Sequence, residues 1–264
     1  MKWPKSLVFI RHGESDYNAL KKKKKSIPEY DEFCLIFDKD FNKAEDENWP
    51  SEQLELLARK IWSKTRLLVG DYNTPLTELG HKKAYQTGIA LSKIIEIPDI
   101  IYTSPYLRTK QTLDEIQKAW PELKKIKVIP EERIREQEHG LATVYNDWRI
   151  YYTLNPIQGL LFKLGMDYEY RYLNGESKLD VRNRVRSFIA TLTRENAEQN
   201  IFMISHHLTL LSLRANLERW EREQFMEVDK KEKPINCGVT IYQGEPKQGK
   251  DGKLILKTYN QKLY

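Results

Sequence analysis

The chain has 264 residues, of which 40% are hydrophobic, and its 44 Lys and Arg residues against 38 Asp and Glu residues give a formal net charge of +6. This length and apolar content are enough for one α/β domain with a sizeable core. Its two cysteines, Cys34 and Cys237, form no C-x-x-C or His-Cys pair, so neither a disulfide framework nor a zinc site is indicated, and a reducing, cytoplasmic location is predicted. No apolar run approaches the roughly 18 residues that a membrane-spanning helix needs.

Short apolar segments alternate with long segments of helical spacing. Buried strands are predicted at 7–10, 99–103, 126–129 and 201–204, because each run is apolar and bounded by polar residues. Helices are predicted over 78–95, 106–120 and 178–195, and a hairpin pairs 238–242 with 254–259. This alternation predicts an α/β fold with a mainly parallel sheet covered by helices on both faces.

Two segments interrupt the alternation. The first, at about 19–71, opens with five lysines at 21–25, turns acidic, and contains a predicted helix with Ser51 as its N-cap. We expect the lysine run to be a solvated loop. The second, at about 141–177, is rich in Tyr and Trp and is expected to pack as a lid on the sheet edge; a stacking surface for nucleic-acid bases is the alternative.

Polar residues suited to phosphate chemistry follow three of the predicted strands. Arg11 and His12 follow the first strand, Arg108 lies shortly after the second, and His206 and His207 follow the strand at 201–204. Because an open α/β sheet binds ligands beyond the carboxyl ends of its strands, these side chains are expected to converge at one edge of the sheet.

His12 is the candidate nucleophile, because an imidazole nitrogen can attack phosphorus and form a phosphohistidine. Arg11 and Arg108 offer planar guanidinium groups to phosphoryl oxygens. Their charge is expected to lower the pKa of His12 and to keep its ring neutral, as attack requires.

His206 is expected to donate a further hydrogen bond to the phosphoryl group as an imidazolium, although it could equally cap the following helix. The leaving alkoxide needs a proton from a general acid. Glu136 and Glu138 are both candidates for that acid, and their spacing alone does not separate them.

The chain resembles the histidine phosphatases, the superfamily that includes the cofactor-dependent phosphoglycerate mutases. Five segments carry the resemblance: R-H-G-E-S at 11–15 with Asn18, P-L-T-E-L-G at 75–80, Y-T-S-P-Y-L-R-T at 102–109, E-Q-E-H-G at 136–140, and S-H at 205–206. The resemblance implies the three-layer α/β/α fold of the phosphoglycerate mutases in a single domain over 1–264, with an inserted segment at about 19–71 and a lid-like segment at about 141–177.

The resemblance also implies a role for each matched residue. The phosphorylated residue is His12, and Arg11, Arg108 and His206 complete the phosphate pocket. The acid is Glu136, four residues before the glycine. Asn18 lines the pocket in many members of the family, and Ser15 flanks it.

Two departures from the family pattern affect the expected activity. The usual glycine after the second histidine is His207, which either crowds the pocket or adds a substrate contact. The N-x-F-T-G-W-x-D stretch of true mutases is replaced by the lysine run, so the phosphatase branch is expected instead of mutase activity.

The sequence therefore predicts a phosphomonoesterase that needs no metal and no cofactor and acts on a small phosphorylated metabolite or a phosphoprotein. Mutase-type phosphoryl transfer to a second hydroxyl is one alternative. A non-catalytic module that binds a phosphorylated ligand is another, but it would be expected to lack a catalytic residue. Nucleic acid is not an expected partner, since no docking motif accompanies the lysine run. No particular oligomeric state is predicted.

Overall fold

The computed structural model describes residues 2–43, 49–165 and 167–264, so residues 44–48 of the acidic stretch and residue 166 of the predicted lid lie outside the described residues. The strands and helices in chain order are β1 (Ser6–Arg11), α1 (Asp16–Lys24), α2 (Glu29–Asn42), α3 (Glu52–Thr65), α4 (Glu78–Ile94), β2 (Ile100–Thr103), α5 (Leu107–Ala119), β3 (Val128–Pro130), α6 (Trp148–Leu154), α7 (Pro156–Gly165), α8 (Lys178–Glu195), β4 (Asn200–Ser205), α9 (His207–Leu217), α10 (Arg222–Lys231), β5 (Val239–Glu245) and β6 (Lys253–Gln261).

Six strands form one sheet in the order β3-β2-β4-β1-β5-β6. The pairs β3–β2, β2–β4 and β4–β1 are parallel, whereas β5 runs antiparallel to β1 and forms the predicted hairpin with β6. The apolar residues of β1 and β4 are buried, as expected for central strands covered on both faces. The protein thus has the predicted three-layer α/β/α fold with a mainly parallel sheet.

The predicted helices around the sheet form close to their expected bounds. Thr77 caps α4, since its side-chain oxygen accepts a hydrogen bond from the Gly80 N–H. Leu91 of α4 and Leu113 and Ile116 of α5 pack with Val8 and Ile10 of β1 in one core cluster. The third strand begins later than predicted, because the chain before it forms a short 3-10 turn at Pro121–Lys125.

The chain divides into two compact units. One consists of Met1–Ser15, Tyr72–Gln137 and Asp180–Tyr264 and contains the sheet; the other consists of Asp16–Asp71 and Glu138–Leu179. We call them the sheet unit and the helical unit. A single domain with an insertion and a lid stays a prediction. Within the described ranges, no helix is long and apolar enough to cross a bilayer.

The helical unit has an aromatic core of its own. Side chains of α2 and α3 pack there against Tyr151 and Tyr152 of α6 and against Tyr170. The predicted N-cap of α3 forms, with the Ser51 hydroxyl oxygen accepting from the Leu54 N–H at 3.4 Å. Tyr151, Tyr152 and Tyr170 are therefore buried in this core, and packing of their segment as a lid on the sheet edge stays a prediction.

The first four residues of the lysine run, at 21–24, form the last turn of α1 rather than a loop, and one of these lysines is buried. Lys24 Nζ lies 2.5 Å from Asp147 Oδ2 and donates to the Asn146 carbonyl at 2.8 Å. The Tyr30 hydroxyl donates to the same carboxylate oxygen at 2.8 Å. Burial alone would raise the pKa of Asp147, but the Lys24 ammonium and the Tyr30 hydroxyl lower it overall. The expectation of a solvated loop is wrong at Lys24, because a carboxylate from a distant segment pairs with it.

We expect Lys24→Met to destabilise the protein by about 3–5 kcal/mol, because the change leaves the Asp147 charge buried without its partner. The exposed neighbour provides the control: Lys23→Met should change the free energy of unfolding by less than about 0.5 kcal/mol. Denaturant unfolding measures both variants. The double variant Lys24→Met/Asp147→Asn should regain part of the loss, and equal stability of Lys24→Met and wild type would contradict the assignment.

Candidate active site

The predicted site residues of the sheet unit lie at the carboxyl ends of adjacent parallel strands. Arg11 ends β1 and His12 follows it, Arg108 lies in the first turn of α5 after β2, and His206 directly follows β4. Because β2, β4 and β1 are neighbours in the sheet, the three segments leave it side by side. The rings of His12 and His206 accordingly lie 5.1 Å apart.

His12 is buried, and its ring is oriented by its own turn. Nδ1 lies 2.7 Å from the Gly13 carbonyl oxygen, which can only accept a hydrogen bond. The neutral ring therefore carries its proton on Nδ1 and keeps a lone pair on Nε2. Burial, and then the charges of Arg108 and Arg11, hold the pKa of His12 well below its usual value, so the ring is neutral at neutral pH.

The turn that carries His12 is held from two sides. Thr112, one helical turn after Arg108 on α5, accepts a hydrogen bond from the Gly13 N–H at 2.9 Å. On the other side, Asn236 Nδ2 donates to the His12 carbonyl at 3.0 Å, and the Cys237 N–H donates to the Arg11 carbonyl at 3.0 Å. Sequence reasoning did not identify these residues. Thr112 could have been found by its helical spacing from Arg108, but no local pattern marks Asn236.

Two arginines give the site a positive charge. Arg108 is buried, and its guanidinium carbon lies 4.7 Å from the centre of the Tyr106 ring. Arg11 Nη1 donates to the Pro234 carbonyl at 2.5 Å, while its Nε is buried without an acceptor among the residues that the structure describes. Burial lowers the pKa of Arg11 and the Glu136 carboxylate opposes that shift; a guanidinium remains a cation in proteins.

Glu136 belongs to the sheet unit, and its carboxylate is fixed at a helix N-terminus. Oε1 accepts hydrogen bonds from the Leu208 N–H in the first turn of α9 at 3.2 Å and from the Gln137 N–H at 3.1 Å. Arg184 of α8 donates to the Glu136 carbonyl at 2.9 Å. Glu138 is exposed in the helical unit, where its N–H donates to Glu176 Oε2 at 3.1 Å. The charge of the Glu136 carboxylate raises the pKa of Arg11.

His206 is fully buried, and its two ring nitrogens differ in their hydrogen bonding. Nε2 lies 2.7 Å from the Ser104 hydroxyl oxygen, whereas Nδ1 has no hydrogen-bond partner among the described side chains and backbone. Burial, and then the charge of Arg108, hold its pKa well below the usual value. This differs from the expected imidazolium, since the same arginines that attract an anion disfavour a second cation.

The remaining predicted residues occupy different places. His207 Nε2 lies 3.0 Å from Asp229 Oδ1, so this ring contacts α10. Ser15 is buried and forms an isolated antiparallel bridge with Leu76. Asn18 lies on α1 in the helical unit. The substrate contacts assigned to these three residues stay predictions.

The P-L-T-E-L-G segment matters because it abuts the His12 turn through backbone atoms. The Thr77 N–H donates to the Glu14 carbonyl at 2.9 Å. A Cβ atom at Gly80 would lie 2.1 Å from the Glu14 carbonyl oxygen, and one at Gly13 would lie 2.8 Å from the Gly80 carbonyl oxygen. Both glycines are therefore needed for close backbone approach.

The chain is similar to known phosphatases and mutase-like proteins. Two Arabidopsis thaliana proteins, phosphoglycerate mutase-like proteins AT74H and AT74, are 30% identical over 191 residues and 32% identical over 210 residues, covering 65% and 73% of this chain. The chain spans 64% and 63% of the length of these relatives. The solved complex of mycobacterial glucosyl-3-phosphoglycerate phosphatase with inorganic phosphate aligns over 98% of both chains, with a TM-score of 0.62 and 17% identity, which shows a common fold.

A match to a family model assigns the chain to a protein family. The model of the histidine phosphatase superfamily (branch 1) matches residues 58–251, which is more than half of the chain and includes Arg108, Glu136 and His206. The R-H-G turn with Arg11 and His12 precedes the matched range. The resemblance inferred from the motifs is thereby confirmed: this chain belongs to branch 1 of the histidine phosphatase superfamily.

Proposed function

We propose that this protein is a phosphomonoesterase that forms a covalent phosphohistidine at Nε2 of His12. The observation that carries the proposal is the 2.7 Å contact between His12 Nδ1 and the Gly13 carbonyl, which assigns the ring's proton to Nδ1 and the lone pair to Nε2. The lowered pKa of His12 supports it, because attack on phosphorus requires the neutral ring.

Arg11, Arg108 and His206 would hold the phosphoryl group. Buried nitrogens without partners are rare in folded proteins, and Arg11 Nε and His206 Nδ1 are two such atoms close to His12. An anion with several acceptor oxygens would supply the missing acceptors. The arginine charges would also stabilise the negative charge that spreads over the transferring group.

The proposed reaction has two displacements. The first starts with Glu136 in its protonated form: His12 Nε2 attacks phosphorus, the bond from phosphorus to the leaving oxygen breaks, and the Glu136 carboxyl gives its proton to that oxygen and becomes a carboxylate. In the second, water attacks the phosphohistidine, the phosphorus–nitrogen bond breaks, and Glu136 takes the proton of the water. Inorganic phosphate leaves, and both His12 and Glu136 regain their starting states.

We expect Glu136→Gln to lower kcat by about 10²–10⁴-fold for alkyl phosphates such as glycerol 2-phosphate, because their alkoxides need a proton. The loss should be much smaller for p-nitrophenyl phosphate, whose leaving group departs as an anion. Glutamine keeps an oxygen for the Leu208 and Gln137 N–H groups, so the local backbone is preserved.

Steady-state kinetics with the two substrates test this, and Glu138→Gln is the matched control because it removes the rival carboxylate. The control should leave both rates near those of the wild type. Equal losses for both substrates in Glu136→Gln would point to a positioning role instead of proton donation.

The substrate class that we propose is a small phosphorylated metabolite or a phosphoprotein, handled without metal or cofactor in the cytoplasm. The protein of similar fold named above, mycobacterial glucosyl-3-phosphoglycerate phosphatase, is a phosphatase, which supports hydrolysis as the reaction of this chain. The Arabidopsis relatives are described as phosphoglycerate mutase-like, so mutase-type phosphoryl transfer is a second candidate. The N-x-F-T-G-W-x-D stretch of true mutases is absent from this sequence, which favours the phosphatase.

The test is incubation of the purified protein with p-nitrophenyl phosphate and EDTA from mildly acidic to neutral pH, followed by detection of acid-labile protein phosphate. Release of inorganic phosphate with a trapped phosphohistidine is the expected result. A phosphohistidine that is discharged only to a second hydroxyl compound would favour the mutase. Neither turnover nor adduct with any phosphomonoester would overturn the proposal and leave a binding module.

A further inference from the structure

The hydroxyl group of Ser104 is buried directly behind the candidate phosphate pocket. Ser104 is fully buried after the end of β2, and its Oγ lies 2.7 Å from Nε2 of His206. The N–H of Tyr106 points toward the same oxygen at 3.5 Å, the far limit of hydrogen bonding. Ser104 Oγ thus has one strong contact, and that contact is with His206.

The direction of this hydrogen bond follows from where the hydroxyl proton can go. A buried hydroxyl that has an acceptor within reach donates to it, because leaving the donor unpaired is destabilising. Within the described part of the chain, His206 Nε2 is the only acceptor placed within reach of Ser104 Oγ. The serine therefore donates, and Nε2 receives the bond with its lone pair.

A neutral imidazole carries one proton, so accepting at Nε2 assigns that proton to Nδ1. Nδ1 is the buried nitrogen without a partner, on a ring 5.1 Å from that of His12. The opposite tautomer would present a lone pair to an anion and repel it.

We propose that Ser104 is a positioning residue that fixes neutral His206 as the Nδ1–H tautomer, so that His206 donates a hydrogen bond to a phosphoryl oxygen without being protonated. The proposal rests on the proposed function for the identity of the anion, but the tautomer itself is a property of the protein alone. The nearby arginines favour this arrangement, since a neutral donor adds no further positive charge to a pocket that already holds two guanidinium groups.

The arrangement has a consequence for the pH profile. A pocket that relied on an imidazolium would lose affinity for phosphate as pH rises through the pKa of that histidine. A pocket with a neutral donor keeps its hydrogen bond above that pH. Loss of the hydroxyl frees the ring to adopt either tautomer, and a competent donor is then present in only part of the molecules.

The decisive experiment is nitrogen NMR of protein labelled with ¹⁵N-histidine at neutral pH, in which the order of the two ring shifts reports the protonated nitrogen. His206→Asn identifies the His206 signals by their disappearance. We expect Nδ1–H in the wild type and an increased population of Nε2–H in Ser104→Ala. Calorimetric titration with inorganic phosphate and orthovanadate should show roughly tenfold or greater loss of affinity in Ser104→Ala.

Ser212→Ala is the matched control, because Ser212 is also a fully buried serine but its hydroxyl has no hydrogen-bond partner among the described residues. It should keep the tautomer and the phosphate affinity of the wild type. Nε2–H in the wild type, or an unchanged His206 tautomer in Ser104→Ala, would overturn the inference even if the enzyme turns over. Absence of turnover and phosphohistidine in a wild type that shows Nδ1–H would instead remove the proposed function and leave the tautomer assignment standing.

Discussion

His12→Ala should lower kcat for p-nitrophenyl phosphate by at least about 10⁴-fold, because the change removes the nucleophile of a covalent mechanism rather than one contributor to binding. Arg11, Arg108 and His206 remain, so the variant should still bind phosphate and vanadate. The neighbouring ring of His206 cannot take over the attack, since it is held with its proton toward the pocket. Acid-labile phosphate should disappear completely from the protein.

The loss should occur in a folded protein. Beyond its packing, the His12 side chain contributes one hydrogen bond among the described residues, to the Gly13 carbonyl, and such a bond adds about 1 kcal/mol to stability. Circular dichroism and thermal unfolding check this. His81→Ala is the control, because His81 lies on α4 in the same unit and pairs with Glu115 at 2.9 Å, outside the candidate site. More than about 1% of wild-type kcat in His12→Ala would remove His12 as nucleophile.

The arrangement of His12, Arg108 and His206 could be predicted because each follows a buried strand whose hydrophobic pattern is local. Residues 7–10 form a short apolar run bounded by polar residues, which suits a buried strand better than a helix. Once the strands are parallel neighbours, their carboxyl ends share one edge. The positions of the site residues then follow from sequence order, and the site needed no knowledge of side-chain contacts.

Features that depend on contacts between distant segments could not be predicted. Lys24 looks like any other lysine of its run, and only Asp147, more than a hundred residues later, explains its burial. The lowered pKa of His206 was not foreseen, because burial and the Arg108 charge act together only in the folded protein. The contact of His207 with Asp229 arises from the packing of α10, which no motif specifies, and the substrate contact of His207 stays a prediction.

Gly80→Ala separates local helix propensity from tertiary contact. Gly80 lies in the first turn of α4, where alanine would stabilise an isolated helix by up to about 1 kcal/mol. In the folded protein the added Cβ would lie 2.1 Å from the Glu14 carbonyl oxygen, a backbone atom that cannot rotate away. The unfavourable contact should outweigh the gain in helix propensity, because overpacking against backbone costs about 1–3 kcal/mol. It should also force the turn after His12 to move.

Since a displacement of about 1 Å at a reacting group can cost 10²-fold in rate, we expect Gly80→Ala to lose at least about that factor in kcat/KM. Gly88→Ala is the control, because Gly88 lies on the same helix as Gly80 but faces α5. Its added Cβ would lie 2.9 Å from Ala119 Cβ and 3.0 Å from the Ile116 carbonyl oxygen. Gly70→Ala, with nothing within 4 Å of its Cβ, should change neither stability nor rate. Assayed well below the unfolding midpoint of every variant, Gly88→Ala should lose stability without a comparable loss of rate. If Gly80→Ala and Gly88→Ala retain the same activity per folded molecule, the close approach of α4 to the His12 turn serves stability alone and does not position the nucleophile.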